Sequence, residues 1–90
     1  MEIEFDSAKR AKTLAERGLD FARANEVFSG PLLSFPDARF GYSELRFLTF
    51  GLLDSRWVVL VWTPRGEVRR IISMRKANER EIEKYAHRVG

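Results

Sequence analysis

The 90-residue sequence contains no cysteine, one histidine and three prolines, and its six glycines are scattered. Without thiols there is neither a disulfide framework nor a thiolate metal site. The lone histidine, His87, stands in a charged C-terminal segment. It leaves too few donors for an ordinary zinc site, and no Ser-His-Asp arrangement is visible. Dispersed glycines make no phosphate-cradling loop, and no serine sits in a nucleophile elbow. These absences exclude most familiar enzyme classes, and no metal or cofactor is expected. No apolar run approaches the roughly 20 residues that a membrane-spanning helix needs, so no membrane contact is expected. The opening Met1-Glu2-Ile3-Glu4 has neither the basic nor the apolar character of a secretory leader. The expected location is therefore the cytoplasm.

What is present suits one small folded domain over residues 1–90. Hydrophobic residues make up 44% and charged residues 32% of the chain, a balance that argues against disorder. The net charge is only +3, but it is unevenly placed. Between positions 65 and 76, Arg65, Arg69, Arg70, Arg75 and Lys76 face a single acidic residue, Glu67. Such a cluster attracts polyanions, although arginines at strand ends also serve solubility and edge protection.

Local patterns predict the elements. Ile3 and Phe5 alternate with Glu2 and Glu4, as in a short strand with one buried face. Asp6 is a helix N-cap for Ser7 to Arg17, where Ala8, Ala11, Leu14 and Ala15 form one stripe and Gly18 terminates. Asp20 caps a second short helix that turns Phe21, Ala24, Val27 and Phe28 inward and stops at Gly30-Pro31. Strands follow at Leu32–Phe35 and Leu45–Leu53, with an exposed loop from Ala38 to Ser43 between them. Asp54-Ser55 is a tight turn into the continuously apolar Trp57–Trp62, a central strand. Thr63-Pro64-Arg65-Gly66 reads as a turn, Val68–Met74 as the last strand, and Asn78 with Glu81 as a capping box for a helix from Glu79 to Arg88. That helix presents Ile82, Tyr85, Ala86 and Val89 on one side.

The order is β-α-α-β-β-β-β-α. Short connections make the consecutive strands antiparallel. The expected fold class is α+β: a four-stranded antiparallel meander with the helices packed on one face.

Chemistry concentrates in the last hairpin. Strict alternation places Val68, Arg70, Ile72 and Met74 on one face and Arg69, Ile71, Ser73 and Arg75 on the other. Arg70 then shares an apolar face and calls for a carboxylate such as Glu44 or Asp54, while Arg69 and Arg75 are freer. Guanidiniums bind phosphate through two parallel donors, and aromatic rings stack on bases. Metal-free RNA cleavage needs a base for the 2′-hydroxyl, cations for the developing charge and an acid for the leaving oxygen. The base here would be a carboxylate, a lysine or a tyrosine. Trp62 is a candidate base-stacking residue, although a tryptophan in an apolar strand usually belongs to the core.

Several blocks in order carry a wider resemblance. They are Phe5-Asp6 with Lys9, Gly18-Leu19-Asp20-Phe21-Ala22, Val27-Phe28 before Pro31-Leu32, and Arg46-Phe47 with Gly51. Further on come Val58 to Thr63 with Arg65-Gly66, then Arg70-Ile71-Ile72-Ser73-Met74-Arg75-Lys76-Ala77 followed by Glu81 and Tyr85. Together they resemble the BrnT toxin family, within the RelE-like ribonucleases. The resemblance implies a RelE-like fold and a metal-independent endoribonuclease that inhibits translation. It also implies a BrnA-like, DNA-binding antitoxin that neutralises the toxin. The toxin would then reach operator DNA only through that partner, and a homodimer within the toxin–antitoxin complex is compatible with this arrangement. It assigns Arg65, Arg70 and Arg75 to the catalytic surface, with Lys12 and Trp62 as second-rank candidates. Arg69 and Lys76, from the basic cluster, join Lys12 and Trp62 as candidate RNA-binding residues. Family members commonly end the first helix with Lys-His-Gly, where this chain has Glu16-Arg17-Gly18. That departure removes one acid or base.

Two functions of different kind follow: a toxin ribonuclease, or a catalytically weak co-repressor subunit that only binds the antitoxin. A non-toxic RNA-binding module is a third, for which +3 is a small charge. The nuclease reading expects Arg65 and Arg75 to converge on one cationic hollow.

Overall fold

The computed structural model describes residues 2–39, 41 and 43–89. Along the chain lie β1 (Glu2–Phe5), α1 (Ser7–Arg17), a 3₁₀ turn (Phe21–Arg23), α2 (Ala24–Phe28), β2 (Leu32–Pro36), β3 (Phe47–Leu53), β4 (Arg56–Arg65), β5 (Val68–Lys76), α3 (Glu79–Tyr85) and a closing 3₁₀ turn (Ala86–Arg88). The loop expected from Ala38 to Ser43 includes Phe40 and Tyr42, which lie outside the described residues.

Caps and turns set the element ends. The Asp6 carboxylate accepts from the amides of Ala8 and Lys9, and Gly18 closes α1 in the left-handed region at φ 69°. Asn78 and Glu81 form the reciprocal capping box of α3. Asp54 and Ser55 both take positive φ, 51° and 63°, as a two-residue hairpin loop requires. The last hairpin turns later than its composition suggests. β4 runs through Pro64 to Arg65, and Gly66 (φ 62°) makes the bend with Glu67. Pro64 is tolerated because β4 has left β3 after Trp62, so that side of the strand is an edge.

The sheet has five strands in the order β1-β5-β4-β3-β2. β2 to β5 form the expected antiparallel meander, and β1 adds to it in parallel beside β5, pairing Glu4 with Arg70. The helices do not share a face. Leu19, Phe21, Ala24 and Val27 pack with Leu60, Trp62, Ile71 and Met74 on one side. Ile82, Tyr85, Ala86 and Val89 pack on the other, against Leu48, Phe50 and Val59. The expectation of helices on a single face is thereby corrected. A sheet whose central strand is apolar on both faces needs cover on both.

α1 is peripheral. Ala8, Ala11, Leu14 and Ala15 are exposed. The helix is held instead by polar ties: the Arg10 fork on Asp20 (2.7 and 2.9 Å) and the Arg17 guanidinium donating to the Met74 carbonyl (2.9 Å). The Arg10 hydrogen bond holds Asp20 at about 2, below the ordinary 3.8. A carboxylate depressed on folding stabilises the fold above its unfolded value and loses that contribution as pH falls through the folded one. Wild-type stability will therefore drop between pH 3.8 and about 2. Asp20→Asn, less stable at neutral pH, will show a shallower fall in acid-unfolding curves.

Gly51 gives a second prediction. A Cβ there would lie 2.7 Å from Val27 Cγ1, inside the core between α2 and β3. Gly51→Ala will cost about 1–3 kcal/mol of stability through overpacking, read as a lower urea midpoint at unchanged slope.

Candidate functional site

The faces of β5 decide where each arginine goes. Val61 pairs with Ser73 but Trp62 pairs with Ile71, so Ile72 is an extra residue and the alternation shifts there. Ile71 and Met74 consequently enter the same core. Arg70, opposite Thr63, and Arg75, opposite Val59, share the α3-side face with Arg65. Arg69, opposite Pro64, lies on the α2 side. Strict alternation had paired Arg69 with Arg75 and Arg70 with Met74, and the extra residue overturns both groupings.

At the Gly66 end of the hairpin, Arg65 and Arg70 converge on one carboxylate. Arg70 Nη1 is 3.4 Å from Glu4 Oε1, and Arg65 Nε is 4.0 Å from the same oxygen. The partner of Arg70 is thus Glu4, not Glu44 or Asp54. Those two bind Arg46 and Arg23 instead. Glu4 Oε2 accepts no hydrogen bond among the described residues. The Glu4 side chain keeps 42% of its surface and Arg65 56%, so the group opens to solvent. Sequence reasoning missed Glu4. Its alternation with Ile3 and Phe5 predicted the exposed face, but nothing local predicted that β1 would lie beside β5.

Arg75 does not join this group. The stretch of β4 from Val59, its partner, to Arg65 covers roughly 20 Å at the usual strand rise. Both Arg75 terminal nitrogens reach Glu81, at 2.7 and 2.8 Å, while Glu81 also accepts from the Asn78 amide at 2.9 Å. This fork holds the Glu81 carboxyl below its ordinary range and the guanidinium above its own. Arg75 therefore ties β5 to the start of α3. The expectation that Arg65 and Arg75 share one hollow is corrected: they share a face but stand at its opposite ends.

Trp62 is core. It is 9% exposed, its ring stacks on Phe47 (centroids 4.9 Å apart) and meets Phe28 edge-on, and its Nε1 donates to Thr49 Oγ1. Its faces are covered, so it cannot stack on a base as expected. Arg69 lies over the Phe28 ring at 4.0 Å and near Trp62 at 5.2 Å, with its Nε buried and without a hydrogen-bond partner among the described residues. It closes the apolar layer, away from the Glu4 group.

Lys12 and Lys76 lie along α1 and the end of β5. Lys12 lines a hollow of about 260 Å³ with Lys9, Thr13, Arg17 and Ser73. Lys76 borders a neighbouring hollow of about 420 Å³ with Glu16, Arg17 and Arg75. Among the described residues no three His, Cys, Asp or Glu side chains are grouped to hold a metal ion.

The family profile described as "Ribonuclease toxin, BrnT, of type II toxin-antitoxin system" matches residues 5–81. The chain belongs to the BrnT family. It is a ribonuclease toxin of a type II toxin–antitoxin system, and a cognate antitoxin is its partner. No curated protein matches it. The five-stranded, mostly antiparallel sheet with its helices agrees with a RelE-like BrnT fold. No helix among the described residues is long and apolar enough to cross a membrane. The match includes the Arg65–Arg70 hairpin and Glu81 but begins at Phe5, one residue after Glu4.

The two arginine pairings of this BrnT chain can be told apart. Arg75→Gln will speed amide hydrogen exchange across residues 79–85 and lower the melting temperature. Arg65→Gln will leave α3 protection unchanged. Equal protection in both variants would remove the structural role given to Arg75.

Proposed function

We propose that Glu4, Arg65 and Arg70 form the cleaving group of this BrnT toxin and that the cut needs no metal ion. One observation carries the reading. Two guanidiniums approach one oxygen of an exposed carboxylate whose second oxygen accepts no hydrogen bond among the described residues. Glu4 Oε2 takes the proton of the 2′-hydroxyl. The freed oxygen attacks the adjacent phosphorus as the bond to the 5′-oxygen breaks. Arg65 and Arg70 donate to the phosphate oxygens as charge develops there. The leaving 5′-oxygen takes its proton from solvent at this open site. The products are a 2′,3′-cyclic phosphate and a 5′-hydroxyl.

In the same reading the 90 residues act as one domain in the cytoplasm, and RNA cleavage inhibits translation. The partner is a BrnA-like DNA-binding antitoxin that neutralises the toxin and alone touches operator DNA. A second reading, a co-repressor with weak or no cleavage, draws support from Arg17. This residue stands in the Glu16-Arg17-Gly18 segment, where family members commonly carry histidine, and its guanidinium donates to the Met74 carbonyl.

Induced expression without the antitoxin will arrest growth. Glu4→Gln will lower RNA cleavage about 10²- to 10⁴-fold, as loss of a general base does. Arg65→Gln and Arg70→Gln will each lower it with folding intact. Chelator will leave the rate unchanged, and the products will carry cyclic phosphate ends. Full activity in Glu4→Gln would sink the assignment. Wild-type protein that binds its antitoxin tightly but leaves RNA whole would favour the co-repressor.

A further inference from the structure

Several arginines of the strands and the β2–β3 connection are engaged: Arg65 and Arg70 with Glu4, Arg75 with Glu81, Arg39 with Asp37, Arg46 with Glu44. The cations along α1 and the end of β5 differ. Lys9, Lys12, Arg56 and Lys76 have no carboxylate within ion-pair distance among the described residues. They are not scattered. β1 covers β5 only from Val68 to Ile71, so the outer edge from Ile72 onward faces α1.

Three hollows follow that edge and share Arg17. The first holds Lys9, Lys12 and Ser73 (about 260 Å³), the second Arg75 and Lys76 (about 420 Å³), and the third Arg56 and Lys76 (about 460 Å³). Of the acids on their rims, Asp54 is already paired with Arg23, which leaves Glu16. From Lys9 to Arg17 alone, α1 covers roughly 12 Å. The Lys9 end leads toward the Glu4 group, because the Lys9 amide donates to Asp6, which directly follows the end of β1 two residues after Glu4.

We propose that this trough is a binding track for the sugar-phosphate backbone of single-stranded RNA, with Lys9, Lys12, Arg17, Arg56 and Lys76 as its phosphate contacts, feeding the strand to the Glu4 group. The proposal rests on the cleaving role given to Glu4, Arg65 and Arg70. Unpaired lysines bind phosphate without first breaking an ion pair, and Thr13 and Ser73 add hydroxyl donors between them. A single strand suits a cationic groove that follows the backbone.

The test uses the full chain and a 2′-O-methyl oligoribonucleotide, which lacks the attacking hydroxyl. Binding is followed by fluorescence anisotropy over a salt series. Lys12→Gln/Lys76→Gln will weaken binding about tenfold at physiological salt and reduce the salt slope by about 1.4, two single-strand phosphate contacts. Cleavage of ordinary RNA will show a raised KM at unchanged kcat. Lys84→Gln, on α3, will change neither. An unchanged slope and KM in the double variant would overturn the track while leaving the Glu4 reading intact if wild type still cleaves. Loss of antitoxin binding with RNA binding unchanged would overturn it too, and reassign the trough to the partner protein. Lysine-dependent RNA binding by wild type that cleaves nothing would support the track and remove the Glu4 reading.

Discussion

One extra residue in β5 governs both the core and the cationic surface. Ile72 has no partner on β4, and every residue beyond it points to the face opposite to the one strict alternation assigns. Without that shift Met74 would leave the core that it shares with Ile71, and Arg75 would enter the layer beneath α2. With it, Ile71 and Met74 are both buried, while Arg70 and Arg75 stand on the α3 side. Bulges of this kind re-aim side chains. Here the re-aimed residues are those that meet Glu4 and Glu81.

The two carboxylates show how similar ion pairs serve different ends. Glu81 is saturated, with a two-pronged guanidinium, a backbone amide and a place in a helix cap. Such a group rigidifies the junction of β5 and α3. Among the described residues Glu4 accepts a hydrogen bond on one oxygen only, at a longer distance, and stays open to water. Exposed pairs of that geometry add little to stability, about 0–1 kcal/mol. A constellation of weak energetic worth that leaves an oxygen free is better suited to proton transfer than to holding a fold.

The sequence reveals much of the scaffold because its signals are local. Asp6, Gly18, Asn78 with Glu81, and Asp54-Ser55 each act on backbone a few residues away, and each does so in the structure. The inward residues of the second helical segment, Phe21, Ala24 and Val27, are buried as their spacing requires. Trp62 shows the limit. An aromatic ring beside arginines looks like a stacking platform, but the neighbouring Phe47 and Phe28 that cover it come from other elements.

The sequence by itself determined the order of elements, the antiparallel meander, the concentration of arginine in the last hairpin and the resemblance to BrnT, because caps, turns, periodicity and motif order are all written over short stretches. Only the tertiary structure decided that β1 joins β5, that α3 lies across the sheet from α2, and that the parity of β5 changes at Ile72. Those choices depend on pairings between distant segments. Glu4 and Arg70, 66 positions apart, meet only once the two strands lie side by side.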